Sequence, residues 1–196
     1  MLRNYAPVYA FVATASLLAC RPVSAADVAA QRADRAAFSG GAGTEVSRSC
    51  VVTGVETCFN AIDDNCNGLV DEGCGLKTGM IQLLAAWDEA SVDVDLALEL
   101  PSGAVVDKSN RNRDSFALDR DCPKDGCSDQ NEEGIVFAGG EPAAGEYTLT
   151  VKLARPADLT ADGVNVHVGG RLGTHSHAAT VRLTVAHPSE VLKFVL

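Results

Sequence analysis

Four cysteines at equal intervals constrain this chain more than any other feature of its sequence. Seven residues separate each from the next, and the four are Cys50, Cys58, Cys66 and Cys74. Structural zinc sites use cysteine pairs with only two to four residues between them, so this spacing argues against thiolate-bound zinc. The segment has few large apolar side chains and cannot build a core alone. It therefore needs disulfides, a metal ion or both.

The N-terminus indicates export to an oxidising compartment. Residues 1–20 read MLRNYAPVYAFVATASLLAC, with an early Arg3, a largely apolar run, and no acidic residue before Asp27. This pattern is typical of a secretory signal, and the run is too short and too weakly apolar for a membrane-spanning helix. We therefore predict a signal peptide over residues 1–19.

The end of this signal resembles the lipobox of bacterial lipoproteins, in which a cysteine is acylated and becomes the new N-terminus. The residues that carry the resemblance are Leu17, Leu18, Ala19 and Cys20. It implies lipidation of Cys20 and stable anchoring by several acyl chains. Arg21 in the next position implies the outer membrane. The alternative is an ordinary signal peptide cleaved after Ala25 or Ala26.

The cysteine count agrees with this interpretation. The chain has seven cysteines, so lipidation of Cys20 leaves six for three disulfides in an exported protein. The disulfide candidates are Cys50, Cys58, Cys66, Cys74, Cys122 and Cys127. If the last two pair locally, the other four still allow three connectivities, and the sequence does not choose between them.

Composition divides the rest of the chain into three segments. Residues 20–48 are rich in Ala, Gly and Ser without a sustained apolar period, and predict a flexible tether, with a docked helix as the alternative. Residues 49–75 form the cysteine-rich motif, and residues 76–196 carry the strand patterns. The net charge of −10 argues against nucleic acid as a partner, because an acidic surface repels phosphate groups.

Residues 76–196 predict a mainly β domain. The stretch SVDVDLALEL alternates apolar and polar side chains, which predicts a half-buried strand, and AVVD is predicted to return as its partner. Further short strands are predicted from MIQLLAAW, GIVF, EYTLTVKLA, GVNVHVGG, ATVRLTVA and VLKFVL. We therefore predict an antiparallel β-sandwich or jelly roll. Residues 108–133 are long, polar and contain two cysteines, which predicts a functional or disulfide-stapled loop.

Residues 63–72, DDNCNGLVDE, place oxygen donors at the spacing of a calcium-binding loop. Counted from Asp63, side-chain oxygens occur at positions 1, 3, 5 and 9, and a glycine at position 6 permits the sharp turn. Position 12 is Cys74 rather than Glu, so Glu72 would substitute from a different place. We predict a weak Ca²⁺ site, and the alternative is a set of solvated Asx turns. The predicted ligands are Asp63, Asn65, Asn67, the Leu69 carbonyl, Asp71 and Glu72.

The stretch ETCFNAIDDNCNGLVDEGC also resembles a metal-binding-motif family that is named from a bacterial copper-related surface protein. The family pattern is roughly E-x-C-[DN]-G-x-D-[DN]-[DN]-C-[DN]-G-x-x-D-E, and Phe59-Asn60-Ala61 departs from it. The resemblance implies a metal-binding role for the loop, and oxygen donors suit calcium rather than copper. The matching residues are Glu56, Cys58, Asp63, Asp64, Asn65, Cys66, Asn67, Gly68, Asp71 and Glu72.

The larger domain is similar to bacterial surface β-sandwich domains. The similarity is carried by Trp87, DVDLALELPSG, LDRDCPKDGC and GIVFAGGEPAAGEYTLTV. Such domains are exported, usually lack known catalysis, and often accompany protease or adhesion modules. The resemblance therefore implies a β-sandwich with a binding or accessory role.

A second metal site is predicted where carboxylates are dense. Asp93 and Asp95 lie on one strand face, and Asp119 and Asp121 lie in the long polar segment. Like charges this dense repel unless a cation or basic side chains intervene. We predict that these four residues bind a second Ca²⁺, with a solvated acidic face as the alternative.

The remaining chemistry favours a protein without catalytic activity. His175 and His177 would lie on one strand face and could hold copper or zinc with His167 as a third ligand. The sequence contains no nucleophile elbow, zinc-protease motif or phosphate-binding loop. We predict a non-enzymatic envelope lipoprotein whose sandwich binds a surface protein or glycan. The alternatives are a transition-metal-binding surface protein and an accessory domain of an exported hydrolase.

Overall fold

The chain folds mainly into β-strands. In the computed structural model the described residues are 23–47, 50, 52–124, 127, 130–159 and 162–196. The signal peptide and the lipidation of Cys20 lie outside the described residues. One α-helix and one short 3-10 helix accompany the strands, and none of the described helices is long and apolar enough to cross a membrane. The helices are α1 (Ala25–Arg35) and the 3-10 turn Pro156–Asp158.

Within the described residues, twelve strands form two antiparallel sheets. They are β1 (Ser39–Gly40), β2 (Thr44–Ser47), β3 (Ile81–Trp87), β4 (Val94–Glu99), β5 (Val105–Val106), β6 (Asn112–Arg113), β7 (Phe116–Asp121), β8 (Glu132–Phe137), β9 (Glu146–Leu153), β10 (Val164–Leu172), β11 (His175–Leu183) and β12 (Ser189–Val195). The five-stranded sheet has the order β1-β12-β9-β4-β5, and the seven-stranded sheet has the order β2-β11-β10-β3-β8-β7-β6. The sheets pack together as a β-sandwich, which confirms the predicted fold class.

The core lies between the inner faces of the sheets. Alternation along β4 buries Val94, Leu96 and Leu98, and β5 pairs with β4 as predicted. Tyr147 from β9 stacks on Phe194 from β12, with ring centroids 4.9 Å apart. These aromatic and branched side chains fill the space between the sheets, so burial of apolar area is the main contribution to stability.

The described residues 23–47 pack on the sandwich, whereas the sequence predicts a flexible tether over residues 20–48. Ser24 caps α1 through a capping box with Asp27, and β1 and β2 extend the edges of the two sheets. Phe38 is 1 % exposed and its ring lies 6.0 Å from that of Phe194. The segment therefore folds because one aromatic anchor and two short edge strands dock it on the core.

The seven-stranded sheet is buried on both faces along β3. Leu83 and Ala85 point into the sandwich core, whereas Leu84 and Ala86 pack outside it against Ala61 and Val70 of the cysteine-rich motif. The motif therefore covers the outer face of this sheet. This explains why β3 is a continuous apolar run rather than an alternating one.

The predicted long loop over residues 108–133 is shorter than expected. It contains β6, β7 and the start of β8, and a register shift between Leu118 and Arg120 leaves Asp119 out of the ladder. The local Cys122–Cys127 disulfide follows β7. A bulge changes which face later side chains occupy, and this decides where the acidic residues of β7 point.

Phe38→Ala tests the docking of the N-terminal segment. Removing this buried ring should lower the free energy of unfolding by about 3–5 kcal/mol. The hydrophobic free energy of the ring is lost, and the cavity left behind costs additional free energy. Urea unfolding measures the change. Val28→Ala on the exposed side of α1 is the control and should change stability by less than about 0.5 kcal/mol. Equal stability of Phe38→Ala and the unaltered chain would contradict the docking.

Candidate metal-binding sites

Two interleaved disulfides frame the predicted calcium loop. Cys50 pairs with Cys66 and Cys58 pairs with Cys74, each across a sequence separation of 16. These pairs settle the connectivity that the sequence left open. Because every second cysteine is joined, the loop between residues 58 and 74 is closed at its ends and crossed by a second bridge at its middle.

The loop is built from side chains that fold back on its own backbone. Asp63 accepts the N–H groups of Asn67 and Gly68 at 3.1 and 2.9 Å. Asn65 accepts from Asn67 at 3.1 Å, and Asn67 accepts from Leu69 at 2.8 Å. These are the Asx-type turns that the alternative interpretation named. They also bring alternate side chains to one side of the loop.

Gly68 is required for this path. Its φ of +86° lies in the left-handed region, and a Cβ there would lie 2.3 Å from the carbonyl oxygen of Thr174. Ser176 on the same hairpin donates to Asp63 at 2.6 Å. The loop is therefore pressed against the β10–β11 hairpin, and its geometry depends on the sandwich.

Glu72 is the point at which the predicted ligands meet. The side-chain Nδ2 groups of Asn65 and Asn67 both donate hydrogen bonds to Glu72 Oε1, at 2.6 and 2.5 Å. Glu72 Oε2 is buried and has no hydrogen-bond partner among the described residues. Burial disfavours the charged form, but the hydrogen bonds from Asn65 and Asn67 outweigh it, so the pKa of Glu72 is lowered. The loop thus holds an ionised carboxylate beside two amides and Asp63.

Asp71 does not join this group. It is fully buried, and its two oxygens accept the N–H groups of Asn60 and Ala61 at 3.3 and 2.9 Å. Its backbone N–H in turn donates to Glu56, which also accepts from Asp64. Both oxygens of Asp71, one of the predicted ligands, are therefore held by backbone N–H groups in this geometry. A carboxylate that accepts two backbone N–H groups instead fixes the upstream turn.

The cysteine-rich motif contacts the seven-stranded sheet where Asp71 lies beside Glu132 of β8. Burial and the neighbouring Asp71 raise the pKa of Glu132 to about 8. Arg120 places its Nε 3.4 Å from Glu132 Oε2 and its guanidinium 4.9 Å from the Phe59 ring centroid. One arginine therefore links the motif to β8 by an ion pair and a cation–π contact.

The structure brings together only two of the four residues predicted for the second site, Asp93 and Asp95. Among the described residues, one group of three or more His, Cys, Asp or Glu side chains brings its ligand atoms within 4.8 Å of one another, and it consists of Asp93, Asp95 and Glu133. Asp119 is excluded because it pairs with Lys77. Glu133 was missed, although its alternation with Ile135 and Phe137 in β8 indicates that it points into the sandwich.

Asp121 borders this group without belonging to it. It pairs in register with Glu133, because the bulge at Asp119 turns it towards the interior. Its Oδ2 lies 3.1 Å from Arg111 and 3.9 Å from Lys124. Asp121 is therefore compensated by cationic side chains.

The charge of the group itself is incompletely compensated. Asp95 contacts Lys108 at 2.7 Å and Lys152 at 4.0 Å. Glu133 Oε2 accepts the N–H of Leu96 at 2.6 Å, whereas Glu133 Oε1 and Asp93 Oδ1 are buried without a partner among the described residues. Burial, with repulsion from the surrounding aspartates, raises the pKa of Glu133 to about 9. Burial and the neighbouring negative charges therefore make the ionised form of Glu133 unfavourable.

The three histidines do not converge. His177 packs beside Phe38, with ring centroids 5.8 Å apart, and pairs with Gly170 across β10 and β11. His167 pairs with Thr180, three positions further along the ladder. Within the described parts of the chain, no group of three ligand side chains contains a histidine. The geometry therefore does not favour the copper or zinc alternative.

A cavity of about 400 Å³ opens where the cysteine-rich motif meets β2 and β11. Its wall includes both polar and apolar side chains, among them Glu45, Asp63, His167, Ser176 and Ala178. Its size is in the range of cavities that hold small ligands.

No protein-family model matches the chain, and neither the curated proteins nor the solved structures contain a match. The three resemblances that the sequence motifs suggest therefore stay predictions.

His177→Leu tests the cost of protonating a buried imidazole. Burial lowers the pKa of His177, and His175 lowers it further, so the unfolded chain binds more protons below about pH 6.5. Stability from this residue is therefore lost as pH falls from about 6.5 through the folded pKa. His177→Leu should reduce the fall in melting temperature between about pH 7 and about pH 5.

The exposed His187 provides the matched control. His187→Leu changes an exposed position and should show the same pH dependence as the unaltered chain. An unchanged slope in His177→Leu would contradict the assignment.

Proposed function

We propose that this chain is a non-enzymatic protein of the cell envelope that binds Ca²⁺ in its cysteine-rich motif. One observation carries the proposal: the buried Glu72 Oε2 has no hydrogen-bond partner among the described residues, and it lies in a loop that two disulfides enclose. Carboxylate and amide oxygens are the donors that calcium prefers, and six to eight of them at about 2.3–2.6 Å complete its shell.

The residues that are present fit such an ion. Asp63, Asn65, Asn67 and Glu72 would supply the side-chain oxygens, and the Leu69 carbonyl would add a main-chain donor. Asp63 also accepts backbone N–H groups, but it lines the cavity beside the loop, whereas Asp71 is fully buried and is left out. The buried Glu72 Oε2 is an oxygen without a described partner at the meeting point, and a cation would satisfy it.

Calcium in this position would act structurally. The loop contacts the β10–β11 hairpin through Ser176 and Thr174, so ordering the loop also orders the contact between motif and sandwich. An ion that binds only the folded chain adds its binding free energy to folding. The sandwich is then a rigid base for binding a surface protein or glycan, and the cavity beside β2 and β11 is the place we propose for such a ligand.

Export and lipidation belong to the same proposal. The three disulfides use six of the seven cysteines, and Cys20 is the one that remains. Disulfides persist in oxidising compartments and are rare in the cytosol. An acylated Cys20 would place the sandwich next to the outer membrane, because the docked segment from residue 24 onward leaves only a short connection.

Expression in a diderm bacterium tests the anchor. The unaltered chain should enter the detergent phase in Triton X-114 partitioning, since acyl chains add hydrophobic free energy for each buried methylene. Cys20→Ser should stay in the aqueous phase. Recovery of the unaltered chain in the aqueous phase, with an unmodified Cys20 by mass spectrometry, would contradict lipidation.

Thermal unfolding in CaCl₂ and in EDTA tests the calcium loop. For a dissociation constant of about 10⁻⁴ M, a hundredfold excess of free Ca²⁺ stabilises the fold by about 2.7 kcal/mol. This corresponds to roughly 2–4 °C for each kcal/mol in a chain of this size. Glu72→Gln should lose most of this gain, because the amide replaces the ligand charge.

Glu99→Gln is the control, since Glu99 is exposed at the end of β4 in the other sheet. It should keep the full response to calcium. A calcium response that is the same in Glu72→Gln and in the unaltered chain would rule out the loop as the binding site.

A further inference from the structure

We propose that Asp93, Asp95 and Glu133 form a second calcium site, which fastens the two sheets of the sandwich to each other. Asp95 belongs to β4 of the five-stranded sheet, and Glu133 belongs to β8 of the seven-stranded sheet. The ligand atoms of the three residues lie within 4.8 Å of one another. This site is separate from the calcium loop and goes beyond the proposed function.

Two buried oxygens indicate that something is missing from this group. Glu133 is 1 % exposed, and its Oε1 has no partner among the described residues. The same holds for Asp93 Oδ1. Lys108 and Lys152 contact Asp95 and leave these two oxygens unpaired. Because an uncompensated buried carboxylate is costly, a ligand that reaches all three residues would stabilise the fold.

The donors and their separation favour calcium among the metals. All three donors are carboxylate oxygens, which hard cations prefer, and the group contains no nitrogen or sulfur ligand. Oxygens on opposite sides of a calcium ion lie about 4.6–5.2 Å apart, which is twice its bond length of about 2.3–2.6 Å. Magnesium demands near-ideal octahedral geometry and usually keeps several waters, which a buried group of three carboxylates suits less well.

Lys108 contacts the site from its solvent-exposed side and can move away from it. Its Nζ lies 2.7 Å from Asp95 Oδ2, yet its side chain is 44 % exposed. An ammonium on a flexible stem can move into water at small cost. We therefore expect Lys108 to compete with the ion. Asp121 stays outside the ligand set because it is paired with Arg111.

Isothermal titration of the purified chain with CaCl₂ tests this site and separates it from the loop. The unaltered chain should bind two Ca²⁺. Glu133→Gln and Glu72→Gln should each bind one, and the double variant should bind none. Glu133→Gln should fold, because its side-chain carbonyl still accepts the N–H of Leu96 and the substitution removes a buried charge.

Two further variants sharpen the test. Lys108→Met should bind the second Ca²⁺ more tightly, because the competing ammonium is gone. Asp119→Asn is the matched control, since Asp119 pairs with Lys77 outside the group, and it should still bind two.

Three results would overturn the proposal. One is a single Ca²⁺ in the unaltered chain that Glu72→Gln abolishes, which would leave the loop intact and the second site wrong. Another is two Ca²⁺ in Glu133→Gln. The third is no Ca²⁺ bound by the unaltered chain, which would show that a proton and the lysines satisfy the carboxylates. A single Ca²⁺ lost only in Glu133→Gln would instead support this site and contradict the loop.

Discussion

Burial of carboxylates is the constraint on which the rest of this structure depends. Seven acidic side chains are buried in the described residues, namely Asp63, Asp64, Asp71, Asp95, Asp121, Glu132 and Glu133. A buried carboxylate persists only if hydrogen bonds, a cation or a proton compensates it. The three aspartates of the cysteine-rich motif accept hydrogen bonds from backbone N–H groups, and the two of the sandwich pair with basic side chains. Of the two glutamates of β8, Glu132 has Arg120 as its ion-pair partner, whereas Glu133 Oε1 has no hydrogen-bond partner among the described residues.

These acids also join parts of the chain that look independent in the sequence. Asp63 holds the loop to the β10–β11 hairpin through Ser176, and Asp71 lies beside Glu132 on β8. Gly169 permits the close approach, since a Cβ there would lie 2.3 Å from the Ala61 carbonyl oxygen. The cysteine-rich motif is therefore a cover for the seven-stranded sheet rather than a separate module. Cation binding in the loop would therefore also stabilise the sandwich through the same contacts.

The strands that follow from short-range alternation of apolar and polar residues can be predicted from the sequence. The elements whose structure depends on contacts between distant residues cannot. Alternation in residues 91–100 predicts β4, and β5 follows because the turn brings its partner back. The N-terminal segment has no such period, and its structure depends on a single aromatic anchor, Phe38. The bulge at Asp119 reverses the face of the residues after it, so spacing alone could not separate Asp119 from Asp121. Oxygen donors at alternate positions predict Asn65 and Asn67 as neighbours, and the structure places Glu72 beside both. The oxygens of Asp71 instead accept the N–H groups of Asn60 and Ala61, which the spacing does not specify.

Anomalous scattering from crystals grown in CaCl₂ tests most directly whether hard cations compensate the carboxylates that lack partners. Data collected at long wavelength should show two calcium peaks, one within bonding distance of Glu72 and one within bonding distance of Glu133. In the same map Lys108 should have moved away from Asp95. Ordered carboxylates at both places with no anomalous peak at either, and Lys108 still bound to Asp95, would contradict the account.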